Sequence, residues 1–286
     1  MVVNLRWIQI AFFFPSLLCL DVPFMTLSWA LAVALDSRSD VETALPKLLL
    51  LFFGVWAVYL IDRILDSYRL RKATVITDRH RFAIRFRWLL WTLLAFSAAL
   101  ALLQLYLVRD ALYVLSGVLL AIVTTTYFLA FRVRSNTSTR KLPSKELTVA
   151  ICFAAGVMLT SGTLSLSWLN SVIALGLASI ALFNCLVISY GEADFDRRHD
   201  MKAYYARQPQ ARPPTTSGWI GGICGCALLL KDGTYILGSS MIITSMALFC
   251  FSRSIDRDKP SQVTQAVADS ILLIPIPLIL MMEYLF

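Results

Sequence analysis

Two acidic pairs share one spacing: Asp62-Arg-Ile-Leu-Asp66 and Asp196-Arg-Arg-His-Asp200. Each reads D-x-x-x-D, and each stands where a long apolar stretch runs into a basic segment. Residues four apart share a helix face with Cβ atoms roughly 5–6 Å apart, so each pair can aim two carboxylates at one point. Magnesium prefers a few carboxylates plus substrate phosphate oxygens over an all-protein cage. Two such pairs facing each other across a cavity could each hold one Mg²⁺ and bracket a diphosphate, with the metals neutralising charge on the leaving group. Loss of diphosphate from an allylic substrate leaves a carbocation, so such a site must exclude water. Glu192 lies four before Asp196 and would extend the second pair into a stripe of metal ligands if the helix continues, with Asp194 pointing elsewhere. The bland alternative is a solvated helix end bearing mixed charges.

Basic and polar residues surround the pairs. Arg69, Arg71 and Lys72 follow the first, the Arg79-His80-Arg81 run comes next, and Arg197, Arg198 and Lys202 interleave with the second. Arg69, Lys72, Arg197 and Lys202 are the candidate contacts for phosphate oxygens that metal does not reach. The same residues would equally serve as topology determinants. Asn184 sits inside an apolar run and is a further candidate substrate contact. Lys145 either reaches the cavity or forms a local cap pair with Glu146. Asp21 and Asp269 either line the same pocket or are helix-end residues drawn toward the interface.

The elements that must carry these residues are membrane helices. The chain has 286 residues, of which 58% are hydrophobic, and a mean hydropathy of +0.70. Soluble domains are about 45–50% apolar. The expectation is an all-α integral membrane protein, one domain over 1–286, with a bundle of about nine transmembrane helices around a central cavity. A span needs about 20 apolar residues. Candidate spans are 14–35, 44–66, 88–108, 111–131, 147–166, 168–190, 217–231, 234–252 and 264–285. Residues 1–20 mimic a signal peptide without a small-x-small cleavage site, so the reading is an interfacial helix followed by an uncleaved first span. Gly218, Gly221, Gly222 and Gly225 offer the seventh span a close-packing face. The 6 cysteines lie in or beside apolar runs without metal-ligand spacing to either of the 2 histidines, which points to small buried hydrophobes.

With nine spans, all of the 26 Lys and Arg except Arg38, Lys47, Arg109 and Lys231 fall on one side. The positive-inside rule makes that side cytoplasmic, and the N-terminus and both acidic pairs lie on it. The net charge of +8 is then mostly a topological signal. Nucleic-acid binding is excluded as a reading, because no basic surface stands on a soluble domain.

In these features the chain resembles the UbiA-type intramembrane prenyltransferase superfamily. The resemblance covers nearly the whole chain: about nine helices, with Asp-rich motifs after helices two and six. The first family motif is usually N-D-x-x-D-x-x-x-D. Asp62 and Asp66 match its last two acids, while Val58 and Tyr59 stand where Asn and the first Asp would be. Asp196 and Asp200 match the second motif, D-x-x-x-D, with Tyr190 and Glu192 upstream. The resemblance implies that these acids bind Mg²⁺ and a prenyl diphosphate, that loop residues cap the site, and that the isoprenyl group passes to a lipophilic acceptor. The departure at Val58 and Tyr59 removes one expected metal ligand. It keeps open a second reading, a non-catalytic UbiA-like lipid or diphosphate-binding membrane protein or transporter. Phospho-alcohol transferases also use aspartates with Mg²⁺, but nothing before Asp62 supplies the upstream acids of their pattern.

Overall fold

A computed structural model describes residues 14–37, 41–72, 77–108, 110–133, 144–160, 167–198, 203–208, 210–211, 214–231, 233–255 and 264–285. Among them 89% are helical and none is in a strand. The helices are α1 (Asp21–Asp36), α2 (Val41–Arg69), α3 (Asp78–Arg85), α4 (Arg87–Leu107), α5 (Ala111–Val133), α6 (Ser144–Thr160), α7 (Trp168–Gly191), α8 (Ala193–Arg198), α9 (Tyr204–Arg207), α10 (Thr216–Leu229), α11 (Tyr235–Ser254), α12 (Thr264–Ile271) and α13 (Pro275–Leu285). The interfacial helix expected before residue 14, the last residues of the fifth span (161–166) and the basic stretches 134–143 and 256–263 lie outside the described residues.

Five stretches are long and apolar enough to cross a membrane: Thr43–Arg69, Arg87–Leu107, Trp168–Gly191, Tyr235–Ser254 and Thr264–Met281. Shorter apolar helices cover Ala111–Thr126 and Thr216–Leu229. The outer surface of the bundle suits a bilayer. On α4, Trp88 and Tyr106 stand out from the bundle near opposite ends. They are about 27 Å apart along the axis at 1.5 Å per residue, close to the ~30 Å hydrocarbon core that aromatic belts flank.

Two of the expected spans are broken, each for a local reason. In the first, residues 14–17 are helical and the chain then turns at Cys19, whose φ is 59°. The helix restarts at Asp21, whose Oδ1 accepts the Val22 N–H at 3.0 Å, and Pro23 falls in the first turn, where no N–H is needed. The carbonyl freed at Leu18 accepts the Trp56 indole N–H at 2.9 Å. The ninth span divides into α12 and α13 at 272–274, because Pro275 and Pro277 remove two donors and disfavour helix before them. The Trp29 indole, fully buried on α1, donates to the Leu272 carbonyl at 2.9 Å. Irregular backbone at membrane depth requires such a partner.

Helix ends elsewhere follow ordinary capping. Ser167 Oγ accepts from Asn170 N–H at 3.1 Å to start α7. The first turn of α11 is capped from another helix: Asp36, the last residue of α1, accepts the Leu237 N–H at 2.8 Å.

The core runs between α1, α6, α7, α10 and α11 around Trp29, Leu177, Ile180, Phe183 and Met241. Close approach there depends on glycine. A Cβ on Gly225 would stand 2.8 Å from the Gly238 carbonyl oxygen of α11, and one on Gly221 would stand 2.7 Å from Ile180 on α7. Gly218 likewise abuts the Phe183 ring. Gly222 does not belong to this face, since a Cβ there meets only Ser245 at 3.9 Å. Gly225→Val is expected to lower stability by about 1–3 kcal/mol through overpacking. The check is the thermal unfolding midpoint in detergent, and an unchanged midpoint would show that these helices can part freely.

α2 is the helix that positions the first acidic pair, and it has two working faces. Phe52, Trp56, Leu60 and Ile64 pack with Leu90 of α4 and with Cys19. The opposite stripe, Leu51, Val55, Val58, Asp62 and Asp66, faces a cavity.

Candidate functional site

The cavity has a volume of about 450 Å³ and is walled by α1, α2, α3, α5, α6, α7, α8 and α12. One end is polar. Asp62 and Asp66 come from the last turns of α2, Lys145 and Glu146 from the first turn of α6, and Glu192 and Asp196 from the end of α7 and from α8. The other end is apolar and small-sided, with Leu50, Leu51 and Gly54 of α2, Gly117 of α5, and Gly156 and Leu159 of α6. From Asp66 to Leu50 the lining follows α2 for about 24 Å at 1.5 Å per residue. Tyr113, whose hydroxyl donates to the Lys47 carbonyl at 3.2 Å near the start of α2, closes that end.

Members of both acidic pairs therefore line one cavity. The helix carrying Glu192 and Asp196 is nearly continuous: α7 stops at Gly191, yet the Asp196 N–H still donates to the Glu192 carbonyl at 2.9 Å, keeping Glu192 and Asp196 on one side. Asp194 points outward and binds Arg197 at 2.6 Å. Lys145 lines the same cavity, within electrostatic reach of Asp62, Asp66, Glu146 and Asp196. Asp196 is mostly desolvated. Burial, and then the nearby Glu192 charge, push its carboxyl up to about 7, against the pull of Lys145 and Arg79. A bound cation would reverse that balance.

Short helices close the polar end. Thr77 starts α3 by accepting the His80 N–H at 3.5 Å, and its hydroxyl lies 2.6 Å from His80 Nδ1. The buried His80 ring stacks on Phe195 of α8 at 5.4 Å between centroids. Its other nitrogen lies 3.4 Å from an Arg63 guanidinium nitrogen. Arg79 pairs with Glu192 at 3.8 Å. The segment after the first acidic pair thus bridges to the segment bearing the second. Glu146 Oε1 accepts the Tyr204 N–H at 2.7 Å, fastening the 203–207 segment over the same end. Glu146 is therefore a tie to this loop.

The sequence-derived contacts divide as follows. Asp62, Asp66, Glu192, Asp196, Lys145 and Asn184 line the cavity. Arg69 and Arg197 do not: Arg69 is exposed at the very end of α2, a turn beyond Asp66, and Arg197 is held on the outer face by Asp194. Asp200 and Lys202 lie outside the described residues, as does the side chain of Lys72. Among the described residues, the positive charges that line the cavity besides Lys145 are Arg63 and Arg79, neither of which is marked by the spacing of the acids. Arg63 is next to Asp62 in sequence, about 100° round the helix, so periodicity alone turns it away from the pair. Asp269 and Gln265 also line the cavity, joined to Asn184.

The donor set suits Mg²⁺. The acids at the polar end offer hard oxygen ligands. Among the described residues no three His, Cys, Asp or Glu side chains are grouped closely enough to hold an ion by themselves. Magnesium bound through one or two carboxylates, with substrate phosphates supplying the rest, needs no such cage. Four buried polar atoms at this cavity, Arg63 Nε, Arg79 Nε, Glu146 Oε2 and Asn184 Oδ1, have no hydrogen-bond partner among the described residues.

No family model, curated protein or solved structure matches the chain.

Proposed function

We propose that this chain is an intramembrane prenyltransferase of the UbiA type, moving an isoprenyl group from a prenyl diphosphate to a lipophilic acceptor. The observation that carries the reading is the shared cavity: carboxylates from the end of α2 and from the α7–α8 junction meet Lys145 at one end, and a long apolar trough leads away from them. A diphosphate with an isoprenoid tail has that same polarity, an anionic head on a long apolar chain. In this reading the bundle crosses the membrane nine times, with α1, α5, α6 and α10 joining the five longer apolar stretches. The acidic end faces the cytoplasm by the positive-inside rule.

Asp62, Asp66, Glu192 and Asp196 would hold Mg²⁺, joined by Asp200. The chemistry that bound Mg²⁺ supplies is neutralisation of charge on the departing diphosphate. Lys145, Arg63 and Arg79 bind diphosphate oxygens that metal does not reach, and their charge draws the anion to the cavity mouth. The α3 and 203–207 segments cap that mouth and keep water from the allylic cation. The apolar stripe of α2 with α5 and α6 houses the tail.

The test uses the full chain reconstituted in nanodiscs with labelled geranylgeranyl diphosphate, Mg²⁺ and a membrane-lipid extract. Label is expected in the lipid product, and EDTA is expected to abolish it. No labelled lipid with Mg²⁺ present would remove the transferase reading. A second reading, diphosphate binding without turnover, is favoured by Val58 and Tyr59, which face the cavity where the family has Asn and Asp. Mg²⁺-dependent binding of inorganic diphosphate without any labelled product would select it.

A further inference from the structure

Below the acidic pairs a second polar group lines the cavity. Asp269 on α12 is 2% exposed. Its Oδ1 accepts the Asn184 amide N–H at 2.8 Å and its Oδ2 accepts the Gln265 amide N–H at 3.2 Å. These two bonds fix the carboxylate's orientation and leave each oxygen further accepting capacity. They also settle which end of the Asn184 amide faces the acid. Asn184 is 4% exposed, and its Oδ1 is a buried acceptor without a partner among the described residues. All three side chains line the cavity. An unmet buried acceptor costs about 1–3 kcal/mol, so this position favours a ligand group that donates a hydrogen bond, as a hydroxyl does.

The depth of this group matters. Asn184 lies two helical turns before Glu192, about 12 Å further along α7. It therefore lies deeper in the cavity than the acids proposed to hold the diphosphate. Asp21, Arg79 and Tyr59 of α2 lie within electrostatic reach of Asp269, and Arg79 and Tyr59 line the same cavity.

We propose that Asp269, with Asn184 beside it, binds the acceptor through a hydroxyl group and takes that hydroxyl's proton, so that the product is a prenyl ether. The inference rests on the prenyltransferase reading. The acceptor oxygen forms a bond to C1 of the prenyl chain. The bond from C1 to the diphosphate oxygen breaks, and its electron pair leaves with the diphosphate. The acceptor proton passes to an Asp269 oxygen. A positioned general base contributes typically 10²–10⁴-fold.

The full chain in nanodiscs with Mg²⁺ and labelled geranylgeranyl diphosphate is given a membrane-lipid extract, either native or exhaustively O-methylated. The native extract is expected to yield labelled lipid and the methylated extract none. Asp269→Asn, which keeps the size of the side chain, is expected to lower transfer by about 100-fold or more. It should leave Mg²⁺-dependent binding of inorganic diphosphate within about twofold of wild type, a difference of ~0.4 kcal/mol. That retained binding also reports a folded site. Equal labelling of the methylated extract, or wild-type transfer by Asp269→Asn, would overturn the inference and leave the transferase reading standing. Wild-type protein that neither binds diphosphate nor labels the native extract would overturn both.

Discussion

Asp66→Ala is expected to lower prenyl transfer by on the order of 10³-fold, because metal-assisted charge stabilisation of a leaving group is worth several kcal/mol. Arg69→Ala, one turn further along the same helix, should stay within about threefold of wild type, a change of less than 1 kcal/mol. The contrast follows from placement. Asp66 lines the cavity facing Lys145 and Asp196, whereas Arg69 is exposed beyond its mouth. Arg197→Ala should resemble Arg69→Ala, since its guanidinium is spent on Asp194 at the outer surface. Initial rates of lipid labelling measure all three. A loss at Arg69 as deep as at Asp66 would mean that the diphosphate sits outside the cavity and along the helix end.

The second large effect concerns the tail. Gly54 lines the apolar trough, and a Cβ built there meets no atom within 4 Å. A side chain added there therefore has open space at its root and borders the cavity. Gly54 lies three turns beyond Asp66, about 18 Å along α2 at 1.5 Å per residue. Gly54→Phe is expected to block the deeper part of the trough while leaving the polar end intact. Burial is worth about 0.8 kcal/mol per CH₂, so losing room for one isoprene unit costs roughly 3–4 kcal/mol, or about 10²–10³-fold in binding. The expected result is a switch in preference toward geranyl diphosphate over geranylgeranyl diphosphate, read as the ratio of kcat/KM for the two. Unchanged preference would place the tail elsewhere. Gly156→Phe is a poorer plug for this purpose, because a Cβ there already stands 3.1 Å from Leu51 and would force repacking.

The helices were legible in the sequence because apolar runs of this length admit few other structures. The expected spans 88–108, 111–131 and 168–190 correspond to α4, α5 and α7 within two residues at each end. The breaks in the first and ninth spans were not legible from hydropathy, which stays high through Cys19 and through 272–274. What decides them is backbone chemistry, at Pro275 and Pro277 in one case and at Asp21 with Pro23 in the other, and the freed carbonyls find Trp29 and Trp56 far away in sequence. The acidic pairs could be picked out because spacing of four is visible in one helix. Their meeting with Lys145, Arg63 and Arg79 depends on how α2, α3, α6 and α8 come together, which no local pattern encodes. The cavity stripe itself was written along α2 as the continuation of the pair, from Asp66 and Asp62 to Val58, Val55 and Leu51. Its polar end carries a recognisable spacing, while its apolar end reads like any other membrane helix face.

In the proposed function the two acidic pairs serve one diphosphate. Calorimetric binding of inorganic diphosphate with Mg²⁺ to wild type, Asp66→Ala, Asp196→Ala and the double variant tests it most directly. Residues acting as a unit are strongly non-additive. Either single substitution is expected to weaken binding nearly as far as both together. Two independent losses that simply add, or wild-type binding by either single variant, would contradict it.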